Sequence, residues 1–362
     1  MKICYLADIN SAHTIKWCEY FKNKGYDIHV ISLSNGDYPG VTVHSLQIDA
    51  NVSKRNDSFA KFEYIKKINR VKNILKELRP DILHAHYASS YGLLGALSNY
   101  KPYVLSLWGS DILLFPKEGF IQKRIIKYNL KKATAIFSTS KYMANEAKLY
   151  TNKNINITPF GIDLEIFKNN NIRNNNHIVI GIVKSLEKVY GIDYLIKAIK
   201  VINDRYSNDK LVLKIVGKGT ERENILNLIK ELDLIKTVEI IEPMNQKKII
   251  EFYNSIDIAV FPSLSESFGV AVIEAQACGI PVIVSDIKAF YETTIPNKTS
   301  FICKIADVDS IVEQLEKLIF NDDLRDKMGK EGEKFVRENF DLYKIFNDID
   351  LLYKDIISMS NS

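Results

Sequence analysis

The chain has no apolar run long enough to cross a bilayer, which takes about 18 consecutive residues in a helix. Its first residues, MKICYLADINS, contain Asp8 and lack the apolar core and the small-residue cleavage site of a signal peptide. Apolar residues nevertheless fill 46% of the 362 positions, enough to build sizeable cores. These features predict a globular protein of the cytoplasm, long enough for two domains.

Cysteine and metal-ligand clusters are scarce. The chain has four cysteines, and none of them shows the CxxC spacing of zinc sites and redox motifs. Reduced, buried thiols fit a cytoplasmic protein best. His84 and His86 lie two apart on a predicted strand and resemble a metal pair, but no third ligand is evident nearby, so a position in the core or a cleft is favoured. The sequence predicts no metal site.

The glycine fingerprint of dinucleotide-binding domains is also missing. The first strand of the first half leads into ADINSAH, and the first strand of the second half leads into GIVKSLEKVYG. Neither segment contains the GxGxxG pattern that lets a helix N-terminus bind a pyrophosphate. A dehydrogenase is therefore disfavoured.

Acidic residues are under-represented in the first half of the chain. Residues 1–170 contain 24 Lys and Arg against 14 Asp and Glu, a balance of +10, whereas the remainder contains 25 against 30, a balance of −5. Such an asymmetry suggests that one half meets an anionic surface or ligand. Drift on a lysine-rich surface is the alternative.

What the sequence does contain is a repeated alternation of short apolar runs and amphipathic helical stretches. This pattern predicts an α/β fold, with two doubly wound Rossmann-like domains facing across a cleft. Ligands of such sheets bind beyond the C-terminal ends of the strands, so the cleft is the expected site. The predicted strands are 2–8, 27–33, 81–87, 103–109 and 135–140, then 177–183, 211–217, 238–242, 258–263 and 281–285.

A polar break separates the two halves. The segment KNNNIRNNNH (168–177) is rich in asparagine and has no periodicity, so it is interpreted as the interdomain linker. The predicted domains are residues 1–168 and 169–340. Residues 341–362 form a predicted C-terminal helix, and whether it crosses back to the first domain is left open.

Two acids stand in the least polar stretch, FPSLSESFGVAVIEAQACGIPVIVS (261–285). Glu266 follows a strand, and Glu274 lies in the second turn of a helix predicted to begin near 267–269, so both can face one cleft. The intervening SFGV offers free N–H groups at a helix N-terminus, which suits an anion, and Gly269 permits close approach. A nucleotide sugar fits this pattern. A helix cap at Glu266 and a surface ion pair at Glu274 are the alternatives.

A basic loop is predicted to face the same point. Lys184 ends the first strand of the second half, and Lys188 follows in the loop. Two cations beside a helix N-terminus stabilise the negative charge that develops on a departing diphosphate. Two solvated loop lysines are the alternative. The corner VGKGTERENI (216–225) adds a weak phosphate signal at Gly217, because GxG is common at tight turns.

These motifs resemble the family 4 glycosyltransferases, retaining nucleotide-sugar enzymes with the GT-B fold and a Glu-x7-Glu signature. ESFGVAVIE followed by AQACGIPVIVS is similar to that signature. The stretches LADINSAHTIKWCEYFKNKGYDIHVIS, HAHYASSYGLLGAL, LSLWGSDIL and ITPFGIDLEIF are similar to family elements in the same order. The resemblance covers nearly the whole chain.

The resemblance implies roles for individual residues. Glu266 would bind the donor sugar's hydroxyls and Glu274 the ribose, and Lys184 and Lys188 would assist the diphosphate. Glu266, Lys184 and Lys188 are the predicted catalytic residues. The first domain would bind the acceptor and the second the donor, without a cofactor or a metal. The predicted substrate-binding residues are Asn10, Ser11, His13, His86, Asp111, Gly217, Ser267, Phe268, Gly269, Val270 and Glu274.

The chain departs from the family pattern at several positions. Ile182 stands where an arginine is common, and Lys184 is expected to replace it. Val189 stands where many relatives have a lysine, which weakens the assignment of Lys188. Trp108 replaces a common histidine, and DIKAFYE (286–292) lacks the usual pair of glycines. These differences leave the identity of the sugar open.

The sequence thus predicts a retaining glycosyltransferase that uses a nucleotide-diphosphate sugar, with UDP favoured over GDP, and a glycan or lipid-linked acceptor in bacterial surface polysaccharide synthesis. A nucleotide-sugar epimerase and a non-catalytic binding protein are the alternatives. Asp163 is interpreted as a turn residue rather than a catalytic acid. No nucleic-acid partner is predicted.

Two basic amphipathic stretches, residues 61–79 and 117–133, remain outside the predicted site. In the second, apolar residues including Phe120 and Ile121 alternate with five cations. This composition suits weak contact with an anionic membrane surface, and an ordinary helix with a solvated basic side is the alternative.

Overall fold

Short apolar runs, many of them buried on both faces, form the strands of two parallel sheets. They are seen in a computed structural model that describes residues 1–48, 63–170, 177–206 and 211–361. The chain divides into two α/β units, one of Met1–Pro159 with Tyr343–Ser362 and one of Phe160–Leu342. No helix of these described residues is long and apolar enough to span a membrane.

The sheet of the first unit has seven parallel strands in the order β3-β2-β1-β4-β5-β6-β7. The strands are β1 (Lys2–Leu6), β2 (Asp27–Ser32), β3 (Thr42–Ser45), β4 (Ile82–His86), β5 (Tyr103–Leu107), β6 (Ala135–Ser138) and β7 (Ile155–Ile157). The order reverses between β1 and β4, where Ile3 pairs with Ile82. A binding site is expected outside the carboxyl ends of these two strands.

Helices cover both faces of this sheet. They are α1 (Ala12–Asn23), α2 (Ile68–Leu78), α3 (Ser90–Ser98), α4 (Ser110–Leu113), α5 (Phe120–Lys132) and α6 (Lys141–Ala147). β4 and β5 are buried along their whole length because helices lie on both sides of them. This double burial explains why the predicted strands read as continuous apolar runs rather than alternating ones.

The second unit repeats the plan with six parallel strands in the order β10-β9-β8-β11-β12-β13. Its strands are β8 (Ile178–Val183), β9 (Leu211–Val216), β10 (Val238–Ile241), β11 (Ile258–Phe261), β12 (Val282–Ser285) and β13 (Ser300–Cys303). Its helices are α7 (Ile192–Tyr206), α8 (Arg222–Glu231), α9 (Gln246–Asn254), α10 (Val270–Ala277), α11 (Phe290–Thr293), α12 (Val308–Ile319) and α13 (Asp322–Asn339). The reversal lies between β8 and β11, where Gly181 pairs with Ala259.

The last helix, α14 (Leu342–Asn361), packs in the first unit. Its Asp350 carboxylate lies 2.7 Å from the Lys24 ammonium and accepts a hydrogen bond of 2.7 Å from the Tyr26 hydroxyl. Its Tyr353 hydroxyl lies 2.5 Å from Nδ1 of His84 on β4. A segment at the far end of the sequence therefore completes the helical layer over the central strands.

The units divide at different residues from the predicted boundaries. Residues 160–168 belong to the second unit, because the Ile162 main chain is hydrogen-bonded to Phe340 and Leu342 within that unit. Most of the segment predicted as a linker, residues 171–176, lies outside the described residues. Three strands were not predicted as such from the sequence: β3, β7 and β13.

Candidate active site

The predicted site residues of the first unit lie after β1, at the end of β4 and after β5. Three of them surround Trp108, which follows β5. The ring centroid of Trp108 lies 4.5 Å from that of His86 and 5.7 Å from that of His13, and its main-chain N–H donates to Asp111 at 3.2 Å. The structure thus brings three of these five residues together around the tryptophan that departs from the family pattern.

Asp111 is fully buried, and its carboxylate organises two loops. It accepts 2.7 Å hydrogen bonds from the main-chain N–H groups of Ala88 and Gly109, in addition to the bond from Trp108. Burial raises the pKa of this carboxyl, and the three amide donors oppose the rise. Asp111 therefore holds the loop after β4 against the loop after β5, and its carboxylate does not face solvent.

His86 is buried among aromatic rings. Tyr5 and Trp17 each have a ring centroid 5.1 Å from the imidazole, and neither imidazole nitrogen has a hydrogen-bond partner among the described residues. Burial, with smaller contributions from His84 and His13, lowers the pKa of His86 well below its ordinary value. The ring is consequently neutral at neutral pH.

His84 is a core residue hydrogen-bonded on both sides. In addition to Tyr353 at Nδ1, Ser106 Oγ lies 2.7 Å from Nε2. Burial lowers the pKa of His84 to about 3. No group of three or more metal-ligating side chains occurs within the part of the chain that the structure describes.

Asn10 and Ser11 occupy the loop between β1 and α1. The Asn10 amide donates to the main-chain oxygen of Asn35 at 2.9 Å and to Ser34 Oγ at 3.3 Å, so it is tied to the loop after β2. Ser11 stands immediately before α1, and its N–H donates to the Asp8 carbonyl at 3.1 Å. Asn10 and Ser11 therefore lie beyond the carboxyl end of β1, as predicted, and Asn10 contacts the loop that follows β2.

In the second unit, Lys184 and Glu266 meet directly. Lys184 follows β8, Glu266 follows the neighbouring β11, and the ammonium lies 2.5 Å from Glu266 Oε2. Both side chains are mostly buried, with 15% and 11% of their surfaces exposed. The ammonium also lies 4.5 Å from the centroid of the Tyr190 ring, which favours a cation at this point.

The loop that carries Lys184 is fixed to the loop that carries Glu266. Gly191 has φ +62, and a Cβ there would lie 2.2 Å from the carbonyl oxygen of Pro262. The Leu264 N–H donates to the Val189 carbonyl at 2.7 Å. Glycine is required at 191 because any side chain would push the two loops apart.

Gly217 supports the Lys184 loop from the other side. A Cβ on Gly217 would lie 1.9 Å from the Lys184 carbonyl oxygen, and one on Gly219 would lie 2.3 Å from the Leu186 carbonyl oxygen. Close main-chain packing accounts for both glycines of the VGKG corner. Gly217 thus lies against a predicted catalytic residue, and its conformation is explained without a ligand.

Helix α10 begins at Val270, immediately after Gly269. Gly269 has φ +96 in the left-handed region, and a Cβ there would lie 2.8 Å from the Phe290 ring. The first N–H groups to bond within the helix region are those of Val272 and Ile273, both to the Gly269 carbonyl. The amides before them point out of the helix, as at every helix N-terminus, and the Ser267 N–H donates to Glu266 at 3.1 Å.

Glu274 lies in the second turn of α10, as predicted. It is half-buried and stands beside Tyr253, whose hydroxyl donates to the Ala271 carbonyl at 3.2 Å. Burial and the Glu274 charge raise the pKa of Tyr253 well above its ordinary value. Glu274 therefore has a buried phenol as its neighbour.

Lys188 is not brought to the Lys184–Glu266 pair. It is exposed in a short 3-10 turn and lines a depression of about 380 Å³ bordered by α7 and α8. Within the described residues, no ion pair joins it to Glu266. The predicted second cation is therefore not part of the Lys184–Glu266 ion pair in this structure.

Comparisons with known proteins identify the family of the chain. Residues 2–140 match the family model described as glycosyl transferase 4-like, and residues 163–335 match that described as glycosyl transferases group 1. The capsular polysaccharide biosynthesis glycosyltransferase CapM of Staphylococcus aureus is 26% identical over 364 residues, covering 94% of this chain and 93% of CapM. The chain belongs to the family 4 glycosyltransferases.

Solved structures confirm the two-domain GT-B fold of this glycosyltransferase. Sucrose-phosphate synthase from Thermosynechococcus elongatus superimposes with a TM-score of 0.85 at 18% identity, covering 99% of this chain and 100% of that one. Anabaena HepE, solved in complex with UDP, gives a TM-score of 0.80 at 16% identity, covering 98% and 100%. The resemblance stated from the motifs is thereby confirmed at the level of family and fold.

Two tyrosines of the glycosyltransferase that contact predicted site residues were not predicted from the sequence. Tyr190 lies under the Lys184 ammonium, and Tyr253 lies beside Glu274. Tyr190 stands only six residues after Lys184, so proximity in sequence was an available signal. Tyr253 is on α9, and only the packing of α9 against α10 could reveal its role.

The buried histidines make the first unit sensitive to acid. Unfolded histidine has a pKa near 6.5, whereas folded His86 titrates well below that value. Below pH 6.5 the unfolded chain therefore binds a proton that the folded unit does not. We expect stability to be level above this pH and to fall below it, by up to about 1.4 kcal/mol per pH unit for each such histidine.

His86→Phe should keep the aromatic packing. It should reduce the pH dependence of the free energy of unfolding below pH 6.5 by the contribution of one histidine. Urea unfolding followed by tryptophan fluorescence measures it, because both tryptophans, Trp17 and Trp108, belong to the first unit. An unchanged slope between pH 6 and pH 5 would contradict the assignment of a neutral buried ring.

Proposed function

We propose that this glycosyltransferase moves a hexosyl group from a nucleoside-diphosphate sugar to a glycan or lipid-linked acceptor. The observation that carries the proposal is the Lys184–Glu266 pair at the ends of two neighbouring strands, beside the N-terminus of α10. These groups lie at one edge of the sheet and match the chemistry of a sugar diphosphate. The Lys184 ammonium and the amides before α10 suit the charged phosphate oxygens, and the Glu266 carboxylate suits the sugar hydroxyls.

Lys184 and the α10 amides would act on the leaving diphosphate. Negative charge develops on the diphosphate as the glycosidic bond breaks, and a cation held in a mostly buried position stabilises that charge strongly. Lys184 is already held by Glu266 and by the Tyr190 ring, so little reorganisation is needed when the donor binds. Ile182, at the position of the common arginine, is fully buried, which leaves Lys184 to supply the charge.

Glu266 would change partners when the donor arrives. Its Oε2 is bound to the Lys184 ammonium and its Oε1 accepts from the Ser267 N–H. A diphosphate that binds the ammonium frees Oε2 to accept a hydrogen bond from a hydroxyl of the donor sugar. The ion pair thereby couples recognition of the phosphate to recognition of the sugar.

The nature of the donor and the acceptor rests on relatives. HepE was solved with UDP, which supports UDP as the nucleotide over GDP. CapM is named for capsular polysaccharide biosynthesis, which supports a role in assembling a bacterial surface polysaccharide. The relatives are transferases, so a nucleotide-sugar epimerase is not favoured.

We further propose that transfer proceeds with retention. The acceptor hydroxyl would attack the anomeric carbon from the face that the diphosphate leaves, and a phosphate oxygen would take the hydroxyl proton. The bond to the acceptor oxygen forms as the bond to the phosphate oxygen breaks. Lys184 would stabilise the diphosphate throughout this exchange.

The two acids should have separable effects. Glu266→Ala should lower kcat on the order of 100-fold or more, because this carboxylate meets the reacting sugar and holds Lys184. Glu274→Ala should mainly weaken donor binding, since an interaction made equally in ground and transition states affects affinity rather than turnover. Steady-state kinetics with a UDP-sugar, together with calorimetric UDP binding, measure both.

Glu223→Ala is the matched control for these variants, because Glu223 is an exposed acid on α8 of the same unit. It should leave kcat and UDP affinity unchanged. Undiminished UDP affinity in Glu274→Ala would refute its proposed part, and full activity in Glu266→Ala would refute the proposed site.

The configuration of the product tests retention. NMR of the new linkage, compared with the anomer of the supplied nucleotide sugar, should show the same configuration at the transferred carbon. An inverted anomer would exclude same-face attack while leaving the donor site intact.

Chelation tests the proposal that Lys184 and amides, rather than a divalent cation, neutralise the diphosphate. Activity should survive EDTA, whereas Lys184→Met should lower kcat on the order of 100-fold. Loss of activity on chelation that manganese or magnesium restores would require a metal-assisted mechanism.

A further inference from the structure

Helix α5 divides its apolar residues between the core and the surface. Ile126 and Leu130 are fully buried in the first unit, and Ile125 packs partly against the same core. Phe120 and Ile121 stand on the opposite side of the helix and are 71% and 61% exposed. The C-terminal part of α5 is therefore an ordinary amphipathic helix whose apolar residues face the core. In its first turn, the apolar residues face solvent instead.

Cations share the exposed side of α5 with these apolar residues. Lys123, Arg124, Lys127 and Lys131 are exposed, and no ion pair joins them to an acid among the described residues. The Arg124 guanidinium lies 5.3 Å from the centroid of the Phe120 ring. The sequence of the helix, FIQKRIIKYNLKK, contains no acid. We call the exposed side of this helix the α5 patch; its residues are Phe120, Ile121, Lys123, Arg124, Lys127, Tyr128 and Lys131.

The form of the α5 patch suits a flat partner. A helix of 13 residues is about 20 Å long, and its exposed side is a convex ridge rather than a pocket. Leu114, six residues before the helix begins, is a further exposed apolar residue of this part of the chain, with 57% of its surface exposed. Apolar side chains at one end and cations along the ridge match the boundary between acyl chains and anionic headgroups.

We propose that the α5 patch docks the first unit onto an anionic lipid surface, with Phe120 and Ile121 entering the headgroup layer and the cations pairing with phosphates. The inference stands apart from the proposed transferase site, since it concerns binding to lipid without any substrate. A fluid surface also accepts an irregular ridge, whereas a protein partner would need a complementary groove.

A second basic helix of the same unit provides an internal contrast. Arg70, Lys72 and Lys76 of α2 are exposed, so α2 offers three cations. None of the large apolar side chains that stand exposed in the described residues belongs to α2. If charge alone caused binding, removing three cations from either helix would weaken binding equally.

Vesicle co-sedimentation of the full chain tests the proposal. The protein should sediment with vesicles of phosphatidylglycerol and phosphatidylcholine at low salt, bind less at high salt, and not bind pure phosphatidylcholine. Failure to bind the anionic vesicles, or equal binding to the neutral ones, would overturn the proposal.

Three variants locate the contact. Lys123→Gln with Arg124→Gln and Lys127→Gln should lower the partition onto anionic vesicles on the order of 100-fold. Phe120→Ser with Ile121→Ser should lower it on the order of 10-fold or more at unchanged net charge. Arg70→Gln with Lys72→Gln and Lys76→Gln, the matched control, should leave it nearly unchanged. An equal loss in the control would show binding by net charge alone and refute a specific patch.

A labelled cysteine reports insertion directly. All four natural cysteines are buried, so one introduced by Phe120→Cys can be labelled selectively with an environment-sensitive dye. Its emission should shift to the blue on anionic vesicles, whereas a dye on Lys72→Cys should not shift. No shift at position 120 would contradict insertion even where sedimentation occurs.

Discussion

Parallel strands covered by helices on both faces constrain where this glycosyltransferase can place polar chemistry. β4, β5, β11 and β12 are buried along their whole length, so a charged group within them would lose its hydration without a partner. Only the strand ends escape this constraint. Lys184 immediately follows β8, and Glu266 lies in the loop after β11; the order of the sheet reverses between these two neighbouring strands.

The Lys184–Glu266 ion pair contributes little to the stability of the fold. Two mostly buried charges lose hydration that their mutual attraction only partly restores, so such a pair adds little to stability. Removing either partner leaves an uncompensated charge. In the proposed mechanism, a diphosphate that replaced Glu266 at the ammonium would exchange one anion for another, so Lys184 would have an anionic partner both before and after the donor binds.

The sequence was informative wherever periodicity and turn chemistry act locally. The alternation of strands and helices predicted the two-domain α/β fold, and the spacing of Glu266 and Glu274 placed the second acid in the second turn of α10. The strands β3, β7 and β13, which were missed, all lie at an edge of their sheets; β3 and β7 have no buried residue, so they lack the continuous apolar run that identified the central strands. The contacts of Tyr253 depend on how α9 meets α10, which no local pattern encodes.

Residue type alone did not distinguish ligands from supports in the first unit. Asp111 and His86 were both predicted to contact substrate, yet burial gives them different properties. The Asp111 carboxylate is surrounded by three main-chain donors that fix the loops around Trp108. The His86 nitrogens lack any partner among the described residues, although a buried polar atom usually has one. The nitrogens of His86 are therefore able to form a hydrogen bond with a ligand. The carboxylate oxygens of Asp111 are already hydrogen-bonded to main-chain N–H groups of the protein.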